Sequence, residues 1–176
     1  FMPALPRYPG TRPYHTLPFQ WSNHTQHRGG ALRHDAFLCR EDVDPRPAFA
    51  ESLLTSLGEK GTICVYTSYE RTVIRALAEA LPRFARRLRA LEDRMWDLHA
   101  VIRTHYNHPK FAGSFSLKSV LPVLVPKMSY ADMPVADGNA AQRAYLESIT
   151  TDDTARRAEL HEALLAYCGQ DSLAMV

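Results

Sequence analysis

The sequence predicts an α/β protein, and three observations predict it. Two alternating segments flank a Gly-Gly turn early in the chain, which is the pattern of an antiparallel hairpin. A short continuous apolar run, Thr62-Ile63-Cys64-Val65-Tyr66, follows the first helical segment, as a central strand covered on both faces would. Helical spacing of apolar residues lies between and after these segments, so the order is strand, strand, helix, strand. That is the order of a mixed sheet with crossover helices.

The bulk numbers exclude several classes. At 176 residues the expectation is one domain over residues 1–176. Hydrophobic content of 45% with 23% charged residues is that of a globular chain, not a disordered one. No apolar run approaches the roughly 20 residues that cross a bilayer, so no membrane is expected. The opening Phe1-Met2-Pro3-Ala4-Leu5-Pro6 has neither the basic nor the apolar region of a signal peptide. Cys39, Cys64 and Cys168 are odd in number and widely spaced, which opposes a disulfide framework and fits a reducing, cytoplasmic location. A net charge of +2 permits a nucleic-acid partner without pointing to one. Phe1 is an unusual first residue, so the chain reads as a fragment of a longer protein.

Residues 1–18 carry prolines at 3, 6, 9, 13 and 18 and read as an ordered, extended loop. Phe19 to His24 and Ala31 to Arg40 alternate about the turn at Arg28-Gly29-Gly30 and form the hairpin. Asp44-Pro45-Arg46-Pro47 opens a helix with Phe49, Leu53, Leu54 and Leu57 on one face, closed by Gly58. After the apolar strand, Thr67-Ser68-Tyr69-Glu70 leads into a helix bearing Val73, Ile74, Leu77 and Leu81. Pro82 starts another, in which Arg83, Arg86, Arg87, Arg89 and Arg94 interleave with Phe84, Leu88, Leu91 and Met95. These arginines form a solvated face partly neutralised by Glu92 and Asp93, or else track a phosphate backbone. Trp96-Asp97-Leu98 follows, and His99 to His105 continue that helix. Ser116 caps a short helix from Leu117, and Pro122, Pro126 and Pro134 break residues 122–136 into loops. Asp137-Gly138-Asn139 turns into a helix, and Thr151-Asp152-Asp153 caps the last long one.

That last helix ends Tyr167-Cys168-Gly169-Gln170-Asp171. Tyr167 and Asp171 are four residues apart and project from one face. A carboxylate can hold a hard divalent cation, and a phenol one turn away can hydrogen-bond a water on it. Glu70 stands at the carboxyl end of a strand, where ligands gather in such sheets, although a first-turn acid also simply favours the helix dipole. Asp97 could ligate, orient a helix or cap it. His24-x-x-His27 with His34 is the metal-like histidine set, but residues three apart on a strand face opposite ways, which opposes joint ligation.

These residues carry a resemblance. Val65-Tyr66-Thr67-Ser68-Tyr69-Glu70 resembles the second motif of the DnaQ-like superfamily of 3′–5′ exonucleases, and Tyr167-x-x-x-Asp171 its third motif in the tyrosine variant. Trp96-Asp97-Leu98 and Phe115 to Leu121 resemble two further elements of those domains. More closely, Tyr8 to Tyr14, Leu17 to Ser22 and the tail Tyr167 to Met175 resemble an uncharacterised bacterial family, the domain of unknown function 2779.

The resemblance implies an RNase H-like fold and a nuclease using two Mg²⁺ or Mn²⁺ ions about 3.5–4 Å apart. It implies Glu70 and Asp171 as metal ligands, with Asp97 a further candidate, and Tyr167 orienting the attacking water. Arg86, Arg87 and Lys118 are the candidates for contacting DNA or RNA. The superfamily usually has Asp at the position of Glu70, which is one methylene longer. Its first motif, Asp-x-Glu on the opening strand, occurs nowhere in these residues. The expectation is that this strand lies upstream and that other domains of a longer chain accompany this one. The fragment alone would then hold metal weakly and hydrolyse little. A non-catalytic RNase H-like module binding nucleic acid or protein is the alternative.

Overall fold

The computed structural model describes residues 1–128, 130 and 133–176. It is α/β, and the chain divides into two compact units: Phe1–Ser56 with Met133–Ser172, and Leu57–Asp132 with Leu173–Val176.

The first unit is built on an antiparallel hairpin of β1 (Gln20–Thr25) and β2 (Arg33–Leu38). Its register places Gln20 opposite Leu38 and His24 opposite His34, pairs equidistant from Gly29, which adopts φ +68° at the turn. Alternation then sends the two sets of side chains to opposite faces. On the odd-numbered face, the Trp21 indole N–H donates to Ser52 Oγ at 2.9 Å and Phe37 meets Phe49 edge-on at 6.2 Å. Both partners lie on α1 (Arg46–Leu57). On the even-numbered face, Ser22 and His24 contact Ser172 of α7 (Thr154–Leu173). The hairpin therefore has a helix against each face, with His34 and Ala36 of β2 left exposed on the even-numbered one.

Capping fixes where these helices start. Asp137 accepts the Ala140 N–H and opens α6 (Gly138–Thr150), while Asp153 accepts from Ala155 and Arg156 and opens α7. Gly58 takes φ +51° just past α1, the left-handed conformation that ends a helix. The core gathers Phe1, Leu17, Phe19, Leu38, Tyr145, Leu160 and Leu164, with the Tyr145 ring fully buried and stacked on Phe19 at 4.0 Å. Residues 1–18 are held without helix or strand: Leu17 N donates to Phe1 O and Tyr14 N to Pro3 O, both at 2.8 Å.

The second unit contains a parallel pair, β3 (Ile63–Val65) and β4 (Met95–Asp97), with Cys64 opposite Trp96. Parallel strands need a crossover. Here it consists of α2 (Tyr69–Ala80), a 3-10 turn at Pro82–Phe84 and α3 (Ala85–Glu92). α4 (Leu98–His105) and α5 (Leu117–Leu124) follow, the latter capped by Ser116 Oγ on Ser119 N at 3.3 Å.

Several details differ from the sequence reading. β4 divides what reads in the sequence as one helix from Pro82 to His105; three residues are too few to alternate, and pairing with β3 alone defines it. β3 pairs only with β4 among the described residues, and Ile63 and Cys64 are half-buried, so it is not covered throughout. Pro122 lies inside α5 instead of ending it, with Val120 and Leu121 buried beside it. The rest of the loop expected over 122–136 includes residues 129, 131 and 132, which lie outside the described residues. Arg94 is no part of a solvated face: its guanidinium donates to the carbonyls of Leu57, Gly58, Lys60 and Gly61 at 2.6–3.0 Å. Among the described residues no helix is long and apolar enough to cross a membrane.

Candidate functional site

In the second unit, α2 and α4 both begin where the parallel pair ends. Beyond β3, Tyr66 is buried and its hydroxyl donates to Phe115 O at 2.6 Å. Thr67 then adopts φ +80°. A β-branched residue there is strained by about 1–3 kcal/mol. Two hydrogen bonds hold it: Thr67 N donates to Asp97 Oδ1 at 3.1 Å, and Thr67 Oγ1 accepts the Tyr69 N–H at 3.3 Å. Glu70 follows, half-buried in the first turn of α2. Asp97 closes β4 and caps α4, its Oδ1 also accepting the Ala100 N–H at 3.3 Å. Of the three roles open to Asp97 in the sequence, capping is the one its contacts display. Burial raises the Cys64 thiol pKa, and the Asp97 and Glu70 charges raise it further.

In the first unit, Tyr167 and Asp171 stand one turn apart on α7, as their spacing predicts. The charge of the Asp171 carboxylate acts on the Tyr167 phenol. Burial against the core, then the charge of Asp171, pushes the phenol pKa upward. Tyr167 is therefore a protonated hydrogen-bonding group at neutral pH and not a base. Burial also raises Cys168 to about 12, with Asp171 contributing.

A second cluster in this unit escaped the sequence reading. Ser172 Oγ lies 2.8 Å from His24 Nδ1, 2.6 Å from Ser22 Oγ and 3.1 Å from Gly169 O. Ser22 Oγ also meets His34 Nε2 at 2.8 Å, and the two imidazoles stack at 4.3 Å. A serine has one proton. With Ser172 donating to Gly169 O, Ser22 donates to Ser172, His24 donates through Nδ1–H and His34 through Nε2–H. Burial, then the neighbouring His34, lowers the His24 pKa. His27 is exposed in the turn and does not join them. Counting outward from Gly29 pairs His24 with His34, which signals the two imidazoles though not Ser172.

The basic candidates lie in the second unit. Arg86 and Arg87 are exposed on α3, and among the described residues neither makes an ion pair. Glu92 does not neutralise them, because it bonds Arg75 at 2.7 Å and Arg71 at 3.5 Å on α2. Lys118 Nζ sits 5.7 Å from the centre of the Tyr130 ring.

Glu70 and Asp97 thus belong to one unit and Tyr167 and Asp171 to the other. Among the described residues no three His, Cys, Asp or Glu side chains group as a ready-made metal site. Carboxylates are the oxygen donors that a hard ion of the magnesium kind takes. A family model described as a domain of unknown function, DUF2779, matches residues 1–116. No curated protein and no solved structure matches the chain.

Proposed function

The chain belongs to the DUF2779 family, and on that premise we propose that it is an RNase H-like, metal-dependent nuclease domain of the DnaQ-like kind. The observation that carries this reading is the Tyr167–Asp171 pair, one turn apart on α7, the third-motif spacing of that resemblance. Glu70, in the first turn beyond a parallel strand, supports it. The substrate is a single strand of DNA or RNA, cut from its 3′ end. Glu70 and Asp171 are the metal ligands in this reading. Mg²⁺ or Mn²⁺ would supply activation of a water and neutralisation of phosphate charge. Tyr167 keeps its proton and fixes that water by hydrogen bonding. Arg86, Arg87 and Lys118 attract the phosphate backbone. Asp-x-Glu, the first motif of that resemblance, does not occur in these 176 residues.

The test uses the protein that carries this domain, a labelled single strand of DNA or of RNA, and Mg²⁺, Mn²⁺ or a chelator. Shortening from the 3′ end should need the metal. Glu70→Gln and Asp171→Asn should each slow it by about 100-fold or more, since metal stabilisation of the transition state is worth several kcal/mol. Degradation in chelator, or full activity in both variants, would refute the reading.

One observation favours a second reading, a non-catalytic module that binds nucleic acid or protein. Asp97 spends its Oδ1 on the backbone N–H groups of Thr67 and Ala100, as a structural cap does. Strand binding that persists in chelator, with no shortening, would select that reading.

A further inference from the structure

A pocket of about 260 Å³ opens in the first unit along the N-terminal half of α7. Arg40 lines it from just beyond β2, and Thr154, Arg157, His161 and Glu162 line it from α7. We propose that this pocket is an anion site that takes a single phosphate group. The proposal does not depend on the nuclease reading.

Three side chains carry it. Arg157 is already fixed in place: its Nε donates to Ser148 O at 3.2 Å, and one Nη donates to Thr151 O. Those two bonds use two of the five guanidinium N–H groups and leave the rest for a ligand. Arg40 is exposed, and among the described residues it makes no ion pair or hydrogen bond. His161 lines the pocket but is only 8% exposed; its Nε2 is buried without a hydrogen-bond partner, so the ring turns for a ligand to reach it. A buried polar atom left unpaired is costly, and in a folded protein it calls for a missing partner. Burial and the charges of Arg40 and Arg157 lower the His161 pKa, so positive potential converges on this ring.

The chemistry and the size narrow the ligand. A tetrahedral oxyanion offers oxygens to two guanidinium groups and an imidazole at once, whereas a carboxylate has two oxygens to share. The volume falls below the 300–1,000 Å³ or so of sites for larger molecules, which suits one phosphate with at most a small ester group. Asp153 already accepts the first-turn N–H groups of Ala155 and Arg156, so the attraction comes from side chains and not from the helix end. Glu162, exposed on the rim, opposes binding and offers a test by its removal.

The experiment follows the His161 ring resonances by NMR while inorganic phosphate, methyl phosphate or chloride at matched ionic strength is added. Phosphate should give a saturable shift that chloride does not. Arg40→Ala should weaken binding about 10-fold, the worth of a charge-assisted hydrogen bond. Glu162→Gln should tighten it about two- to fivefold, a gain that no loss of folding can imitate. Binding of methyl phosphate assigns the site to phosphate esters, and its exclusion assigns the site to free phosphate. An equal response to chloride, no saturable shift, or unchanged affinity in both variants would overturn the proposal.

Discussion

Asp97 accepts the backbone N–H of Thr67 at 3.1 Å, tying the end of β4 to the loop that leaves β3. The same oxygen caps α4 through Ala100. One carboxylate therefore holds a strained residue, a strand end and a helix start. Asp97→Ala should cost about 2 kcal/mol, the loss of a cap plus an unsatisfied N–H, read as a lower urea midpoint. Asp97→Asn keeps an acceptor oxygen and should retain most of the stability. Loss of metal-dependent activity in a well-folded Asp97→Asn protein would show that the carboxylate also serves the ion.

Arg94 attaches through its guanidinium to four carbonyls between Leu57 and Gly61. Arg94→Ala should destabilise by about 2–3 kcal/mol, because hydrogen bonds to a charged group are strong and those carbonyls lose their donor. Arg94→Lys should recover little, since an ammonium lacks the planar fork that reaches several carbonyls at once. Chemical denaturation of the two variants checks both statements.

Ser172 joins α7 to both strands of the hairpin through Ser22, and directly to β1 through His24. Ser172→Ala leaves the Ser22 hydroxyl and the His24 Nδ1–H without their acceptor and should cost about 1–3 kcal/mol. Hydrogen exchange in β1 and β2 should speed up with it. Unchanged exchange there would deny the network a structural role.

His24, His161 and His15 all have pKa values lowered from 6.5, chiefly by burial. The unfolded chain then binds protons before the folded one does. Stability from these groups is complete above about pH 6.5 and declines as pH falls from there toward their folded values. The urea midpoint should therefore be lower near pH 5.5 than near pH 7.5, and His24→Gln should flatten part of the difference.

Cys168 is held protonated by burial, with its pKa near 12. At about pH 8 an alkylating reagent should leave it unmodified in the native protein and modify it once urea unfolds the chain. Cys64 is half-buried with a raised pKa and should react more slowly than a free thiol. Peptide mass mapping distinguishes the two.

Local chemistry was legible in the sequence where a few neighbouring residues decide it. Asp137, Asp153 and Ser116 cap the helices that their positions predict, and the hairpin turns about Gly29. The Tyr167–Asp171 pair follows from helical spacing alone. What could not be read depends on partners distant in sequence. β4 exists because β3 pairs with it, Pro122 is tolerated within α5 beside buried neighbours, and Arg94 finds carbonyls more than thirty residues back. Glu92 lies next to the arginines of α3 in sequence yet bonds α2. The Ser172 cluster joins residues about 150 positions apart, with no local pattern to announce it.

The most direct measurement of the central claim replaces a non-bridging oxygen of the terminal phosphodiester with sulfur in a single-stranded substrate. Mg²⁺ binds sulfur poorly, and the softer Mn²⁺ accepts it. If ions held by Glu70 and Asp171 engage that phosphate, one diastereomer should be cut slowly in Mg²⁺ and restored in Mn²⁺ by the protein carrying this domain. Equal cutting of both diastereomers in Mg²⁺, or no cutting of the unmodified strand in either metal, would contradict it.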